Sequence, residues 1–158
     1  MDDLLIYTDL KNLVIAVDAR NGRERWRYQP ELRPAALCCG VVNRGIAVYG
    51  DKVYLATLDA RVIALDRSDG SVVWDVSAAE LSEGYSFTMA PLVADGKVIG
   101  GSSGGEFGIR GFVDAYHPAT GPAALALLDH SLPRAGRPVC RGVAKGRRTG
   151  VFHPGLRP

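Results

Sequence analysis

The 158-residue sequence has no apolar run approaching the ~20 residues a membrane-crossing helix needs, which excludes a helical span. Its opening, MDDLLIYTDL, lacks both the basic start and the long apolar middle of a secretory signal. As written the chain carries no export signal, so it reads as cytoplasmic or of unknown location. No long stretch repeats its apolar residues every 3.6 positions, so helices should be few. No basic stripe runs along the body. Residues 1–121 hold 12 Lys and Arg against 16 Asp and Glu, a net of −4, while residues 122–158 hold 7 against 1, a net of +6. A nucleic-acid partner would want the basic residues on the folded body, and it is excluded on that ground. Cysteine is scarce, three in all, yet two are neighbours, Cys38 and Cys39. Adjacent side chains in a strand point to opposite faces. Two readings of the pair stand: two small buried hydrophobes, or a strained eight-membered disulfide ring.

What is present is ordinary in bulk: 47% hydrophobic and 23% charged residues, with a length that suits one domain and one modest core. The body is written in short alternating or β-branched runs separated by turn residues, among them LLIY, NLVIAVD, KVYLAT, RVIALD, SVVWDV and GFVDAY. That is the pattern of short antiparallel strands, and MDDLLIYTDL already reads as the first of them. Three runs are versions of one sentence. VIAVDARNGRERW covers residues 14–26, VIALDRSDGSVVW covers 62–74, and VDAYHPATG begins at Val113. Asp18, Asp66 and His117 correspond, as do Gly22, Gly70 and Gly121. Strand-rich repeats of about 50 residues, with a Gly turn and a Trp on the next strand, predict β-propeller blades. The Asp and Gly make a tight turn, and the Trp supplies a large apolar plate against the next blade. The expected fold is all-β, an incomplete propeller of two to three blades over residues 1–121.

Two stretches carry candidate chemistry. In SSGGEFGIRG, residues 102–111, glycines let a backbone approach a ligand closely, and Glu106 is a natural ligand for a hard cation. The run is no Walker loop, because it lacks the Gly-Lys-Ser/Thr ending. In the other stretch, VNRG follows the cysteine pair. Taken singly, Arg44 is an ordinary surface arginine at a turn, Glu106 an ordinary solvated loop acid, and Thr88 a commonplace residue before a strand. Arg110 reads as a brace for its loop.

In combination, CCGVVNRG, Thr88 in FTMAPLVADGKVIGG and SSGGEFGIRGFVDAY, with propeller repeats between them, resemble the pyrroloquinoline quinone (PQQ)-dependent alcohol dehydrogenases. That group includes the methanol and ethanol dehydrogenases. The resemblance covers roughly residues 3–121. It implies an eight-bladed propeller in the intact family and oxidation of a primary alcohol to an aldehyde by hydride transfer to PQQ. Calcium, or a lanthanide, would act as Lewis acid. It further implies that Cys38 and Cys39 form a vicinal disulfide ring against one face of the quinone, a ring that needs an oxidising compartment. Arg44 would pair with the cofactor's anionic edge and Thr88 would contact it through its hydroxyl. Ser103, Gly104 and Gly105 would border it, and Glu106 would bind the metal. The family's location is the periplasm, and its electron acceptor a cytochrome c or a membrane quinone.

The departures are as specific. The family's early glutamate contact to the cofactor has no counterpart here. Nor do its metal-binding Asn, its general-base Asp and its covering Trp, so no catalytic residue is assigned. After Gly121 the strand pattern stops, and residues 122–158 become rich in Arg, Gly and Pro. The repeat asks for a tryptophan four residues past the turn glycine; at that place stands Leu125. Leu125–Ser131 can be encoded as CTG GCG CTT CTG GAC CAC TCC, which read one base later gives Trp-Arg-Phe-Trp-Thr-Thr. The tail is therefore expected to be frameshifted and disordered, and the chain to be inactive alone. The rival from another class is a non-catalytic blade-repeat scaffold, which accounts for the repeats but not for the cysteine pair or the Gly-Gly-Glu loop.

Overall fold

The computed structural model describes residues 3–33 and 40–128, with Glu106 and residues 123–128 described by backbone alone. Among the described residues eleven strands form three antiparallel sheets, each a meander in chain order. The first is β1 (Leu4–Asp9), β2 (Leu13–Asp18) and β3 (Glu24–Tyr28). The second is β4 (Ala47–Tyr49), β5 (Lys52–Ala56), β6 (Arg61–Asp66) and β7 (Val72–Ser77). The third is β8 (Leu92–Ala94), β9 (Lys97–Gly101), β10 (Phe112–Tyr116) and β11 (Ala123–Leu128). Among the described residues the only helical pieces are three single 3-10 turns. None is long and apolar enough to cross a membrane.

The repeat seen in the sequence is a repeat of hydrogen bonds. In the first turn the Asp18 carboxylate accepts from the amide of Arg20 at 2.9 Å; in the second, Asp66 accepts from Ser68 at 2.8 Å. In the third, His117 Nδ1 takes the same place, accepting from the amide of Ala119 at 3.3 Å. Each turn then closes through its glycine. The amides of Gly22, Gly70 and Gly121 donate to the carbonyls of Asp18, Asp66 and His117 at 2.8–2.9 Å. The three glycines sit at φ of +71°, +76° and +89°, the left-handed region that a side chain disfavours. A bulge follows at one place in each sheet, at Ala16/Val17, Ala64/Leu65 and Ala115/Tyr116. It sets Trp26 opposite Ala16, Trp74 opposite Ala64 and Leu125 opposite Ala115.

Small alanines opposite the tryptophans leave room for an indole to lie flat on the next sheet. Trp26, Val14 and Ala16 pack on Val53, Leu55, Ile63 and Leu65 of the second sheet. Trp74, Ala64 and Tyr54 pack toward Val98, Tyr116 and Phe112 of the third. Each indole also donates to a main-chain oxygen in the following turn, Trp26 Nε1 to the Arg67 carbonyl and Trp74 Nε1 to the Pro118 carbonyl, both at 3.0 Å. A buried indole is thereby satisfied at both its apolar and its polar ends.

The strand pattern does not stop at Gly121 as the composition led us to expect. Ala123–Leu128 pairs with β10 and completes the third sheet. Ala and Leu favour helix locally, but the exposed edge of β10 offers a row of backbone partners that overrides that preference. The remainder of the expected tail, residues 129–158, lies outside the described residues, as do Cys38 and Cys39.

Candidate functional site

The site residues are brought together by the segment Ser86–Ala90, which runs between the second and third sheets. Ser86 and Ser103 form a bridge by two backbone bonds, at 3.2 and 2.8 Å, and their hydroxyls lie 2.9 Å apart. The amide of Gly101 donates to Met89 Sδ at 3.1 Å. On the other side Arg44 Nη1 donates to the carbonyl of Thr88 at 3.1 Å. Thr88 itself is buried. Arg44, Thr88 and the Ser103–Gly105 loop, far apart in sequence, are thus neighbours through one strand-like segment. Glu106 follows in the 3-10 turn Gly105–Phe107, placed here by its backbone.

The loop that holds Arg44 is an Asx turn, with the Asn43 side-chain oxygen accepting from the amide of Gly45 at 2.8 Å. Asn43 Nδ2 in turn donates to the Ala56 carbonyl at 3.3 Å. The other flank of the cysteine segment is fixed to the same β5–β6 hairpin. Arg33 reaches Asp59 through its amide at 3.2 Å and its Nε at 3.4 Å. Asp59 is fully buried, and it also accepts from the Thr57 hydroxyl at 2.6 Å and from Arg61 Nε at 2.9 Å. Burial pushes the Asp59 carboxyl up, but the Thr57 hydroxyl, the Arg33 amide and the Arg61 guanidinium outweigh it and hold it below the usual carboxylate range. Arg33 and Asn43, on either side of the undescribed segment, are therefore both tied to one hairpin whose buried carboxylate is compensated.

Chemically the described residues fit an anionic group approached closely by backbone. Arg44 is exposed, and among the described residues its only hydrogen bond is the one to Thr88, which uses one of the five donors of a guanidinium. Gly105 is open: a Cβ there would meet nothing within 4 Å. Gly104, at φ +120°, is closed on its other side, where a Cβ would strike the Gly84 carbonyl and lie 2.7 Å from Ile109 Cδ1. The loop thus presents bare backbone outward while its rear is packed. Among the described side chains no three His, Cys, Asp or Glu converge on a metal position. Asn43, Ser86 and Asp59 were not singled out from the sequence. For Asn43 a signal was present, since Asn-x-Gly is a turn signature. Ser86 and Asp59 act on partners 17 and 26 residues away in sequence, and no local pattern marks them.

A family described as outer membrane protein assembly factor BamB matches residues 2–119. The quinohemoprotein alcohol dehydrogenase ADH IIB of Pseudomonas putida is 49% identical over 126 residues, covering 77% of this chain and 18% of that protein. The quinoprotein alcohol dehydrogenase PedH of P. putida is 44% identical over 124 residues, covering 76% and 20%. Among solved structures, quinohemoprotein alcohol dehydrogenase ADHIIG from P. putida HK5 superposes with a TM-score of 0.77 at 41% identity, over 81% of this chain and 19% of that one. A europium-containing methanol dehydrogenase gives 0.75 at 36%, over 81% and 23%. BamB from Moraxella catarrhalis, at 0.58 and 21% identity, over 80% and 33%, shares the fold alone. The chain spans about a fifth of the length of the curated relatives it matches. With blade repeat, identity and superposition in agreement, the chain belongs to the PQQ-dependent alcohol dehydrogenase family.

Proposed function

We propose that these residues form one side of the cofactor cradle of a periplasmic alcohol dehydrogenase that uses PQQ and calcium, or a lanthanide. The intact enzyme would oxidise a primary alcohol to its aldehyde and pass electrons to a cytochrome c or a membrane quinone, and the segment by itself would not turn over. The observation that carries this reading is the exposed Arg44 guanidinium tied to Thr88, beside a glycine loop whose outer face is bare backbone. In this reading Arg44 pairs with a carboxylate of the cofactor, held in place by the Asn43 turn. Thr88 offers its hydroxyl, and Ser103–Gly105 lie along the ring edge. Glu106 supplies a carboxylate to the cation, and the Cys38–Cys39 ring forms the floor. The chemistry supplied there by a bound ortho-quinone is hydride acceptance, with the cation as Lewis acid on its carbonyl. What the chain's own residues supply is orientation and charge neutralisation.

The test is calorimetric titration of PQQ into the full chain, with calcium and with chelator. Binding should require calcium. Arg44→Ala should weaken it by about tenfold or more, since a hydrogen bond to a charged group contributes ~1.5–3 kcal/mol. Glu106→Ala should remove the calcium dependence. Binding that ignores both chelator and Arg44→Ala overturns the assignment.

A further inference from the structure

Two neighbouring carbonyls of the β5–β6 hairpin hold two separate parts of the site. The Ala56 carbonyl accepts from Asn43 Nδ2 at 3.3 Å, one residue before Arg44. The Thr57 carbonyl accepts from the amide of Phe87 at 3.1 Å, one residue before Thr88. Arg44 Nη1 closes the circuit by donating to the Thr88 carbonyl at 3.1 Å. Arg44 and Thr88 are 44 residues apart in sequence, yet their anchors are carbonyls of consecutive residues.

The hairpin end of this circuit has little freedom. Thr57 and Phe87 are fully buried. The Thr57 hydroxyl donates to Asp59 Oδ1 at 2.6 Å and accepts from the Arg61 amide at 3.0 Å. The Ala56 carbonyl also accepts from Asn12 Nδ2 at 3.2 Å, so both of its lone pairs are engaged. Phe87 is thus fixed by its own burial as well as by its amide. The loop that carries Arg44 is only half-buried. It rests against the same segment through Gly45, where a Cβ would lie 3.5 Å from Ala90 Cβ. Its side-chain tie to the hairpin is Asn43, whose oxygen also accepts from the Gly45 amide at 2.8 Å. One primary amide supplies both the donor and the acceptor, which neither serine nor aspartate can do at that length.

We propose that Asn43 is a positioning residue, which sets through the Ala56 carbonyl where the Arg44 guanidinium stands relative to Thr88 in the free protein. This rests on the reading that Arg44 pairs with a carboxylate of the cofactor. An arginine already held in place has less side-chain freedom to lose when it binds. Asn43 makes no contact of its own in that reading, so its whole effect runs through Arg44.

A double-mutant cycle tests this. PQQ is titrated calorimetrically into the full chain at saturating calcium, for the wild type, Asn43→Ser, Arg44→Ala and the double variant. Asn43→Ser keeps an oxygen for the Gly45 amide and loses the donor to Ala56. It should weaken binding about three- to tenfold when Arg44 is present and less than about twofold once Arg44 is alanine. A merely structural role would cost the same in both backgrounds, and that result overturns the proposal. So does an unchanged Asn43→Ser beside a weakened Arg44→Ala. Indifference to Arg44→Ala, or no binding by the wild type, overturns instead the reading on which the proposal rests. Positioning is also read without cofactor, by NMR on the free chain. The Arg44 Nε–H should have an order parameter above about 0.6 in the wild type and below it in Asn43→Ser; equal values overturn the proposal. Should Asn43→Ser not fold, the wild type decides alone: its Asn43 Nδ2 protons should be protected from exchange, and exchange at the solvent rate overturns the tie to Ala56.

Discussion

Gly22→Ala and Gly70→Ala form a matched pair that isolates the packing of one indole. Both glycines sit at nearly the same positive φ, +71° and +76°, so both variants incur the left-handed cost of ~1–2 kcal/mol. Both also restrict the unfolded chain by the same amount. Only at Gly70 does the new methyl group enter occupied space, 2.6 and 2.8 Å from ring atoms of a tryptophan that is itself buried. The ring is stapled to the Arg67 carbonyl, so it cannot withdraw without breaking that bond. Overpacking of this kind costs ~1–3 kcal/mol. Gly22→Ala should therefore lower the unfolding free energy by about 1–2 kcal/mol and Gly70→Ala by about 2–5 kcal/mol, as read from urea midpoints on the full chain. Gly70→Ala should also red-shift the emission of Trp26. Equal losses in the two variants would show that the indole does not seat in the turn as described.

Two further outcomes follow from the hairpin that anchors the site. Asp59→Asn should cost about 2–3 kcal/mol, less than a fully buried pair, because the Arg33 side chain is half exposed and Arg61 keeps its contact with Asp75. Because the folded carboxyl is held below its usual range, its contribution is complete above the unfolded value of about 4 and is lost as pH falls through the lower folded value. The acid limb of a stability–pH curve should flatten in the variant, and an unchanged limb refutes the assignment. Asn12 is fully buried at φ +64°; it donates to the Ala56 carbonyl at 3.2 Å and accepts from the Leu58 amide at 2.9 Å. Asn12→Gly keeps that backbone permissible while stranding a buried N–H, so a loss of ~1–3 kcal/mol and faster exchange of the Leu58 amide are expected. Unaltered exchange there would place the clamp elsewhere.

The blades were legible because their determinants are local. Asp18, Gly22 and Trp26 fix a turn, a left-handed residue and a plate within nine positions, and the same device recurs at Asp66. MDDLLIYTDL was readable as a first strand from its short apolar run LLIY, and the structure places β1 there at Leu4–Asp9. What the sequence concealed lies between elements. Nothing near Ser86 announces Ser103, and Asp59 looks like a turn residue until Arg33 arrives from the segment that follows β3. The fate of Ala123–Leu128 was hidden for the opposite reason: its own composition points to helix, and only the waiting edge of β10 makes it a strand. For the site, the resemblance supplied the residue identities, while the geometry supplied their supports, Asn43 above all.

The indole staples have a consequence for how freely this chain can drift. Their acceptors are main-chain oxygens, so the receiving position places no demand on its side chain, and an arginine and a proline already occupy it. Besides the apolar strand residues packed between sheets, the information that joins one sheet to the next turn is carried by the donor's tryptophan, the facing alanine and one glycine. The intervening turn residues can be rewritten. A deep mutational scan should find a sparse skeleton of such positions in a permissive text, with Arg67 and Pro118 tolerant although both touch a tryptophan.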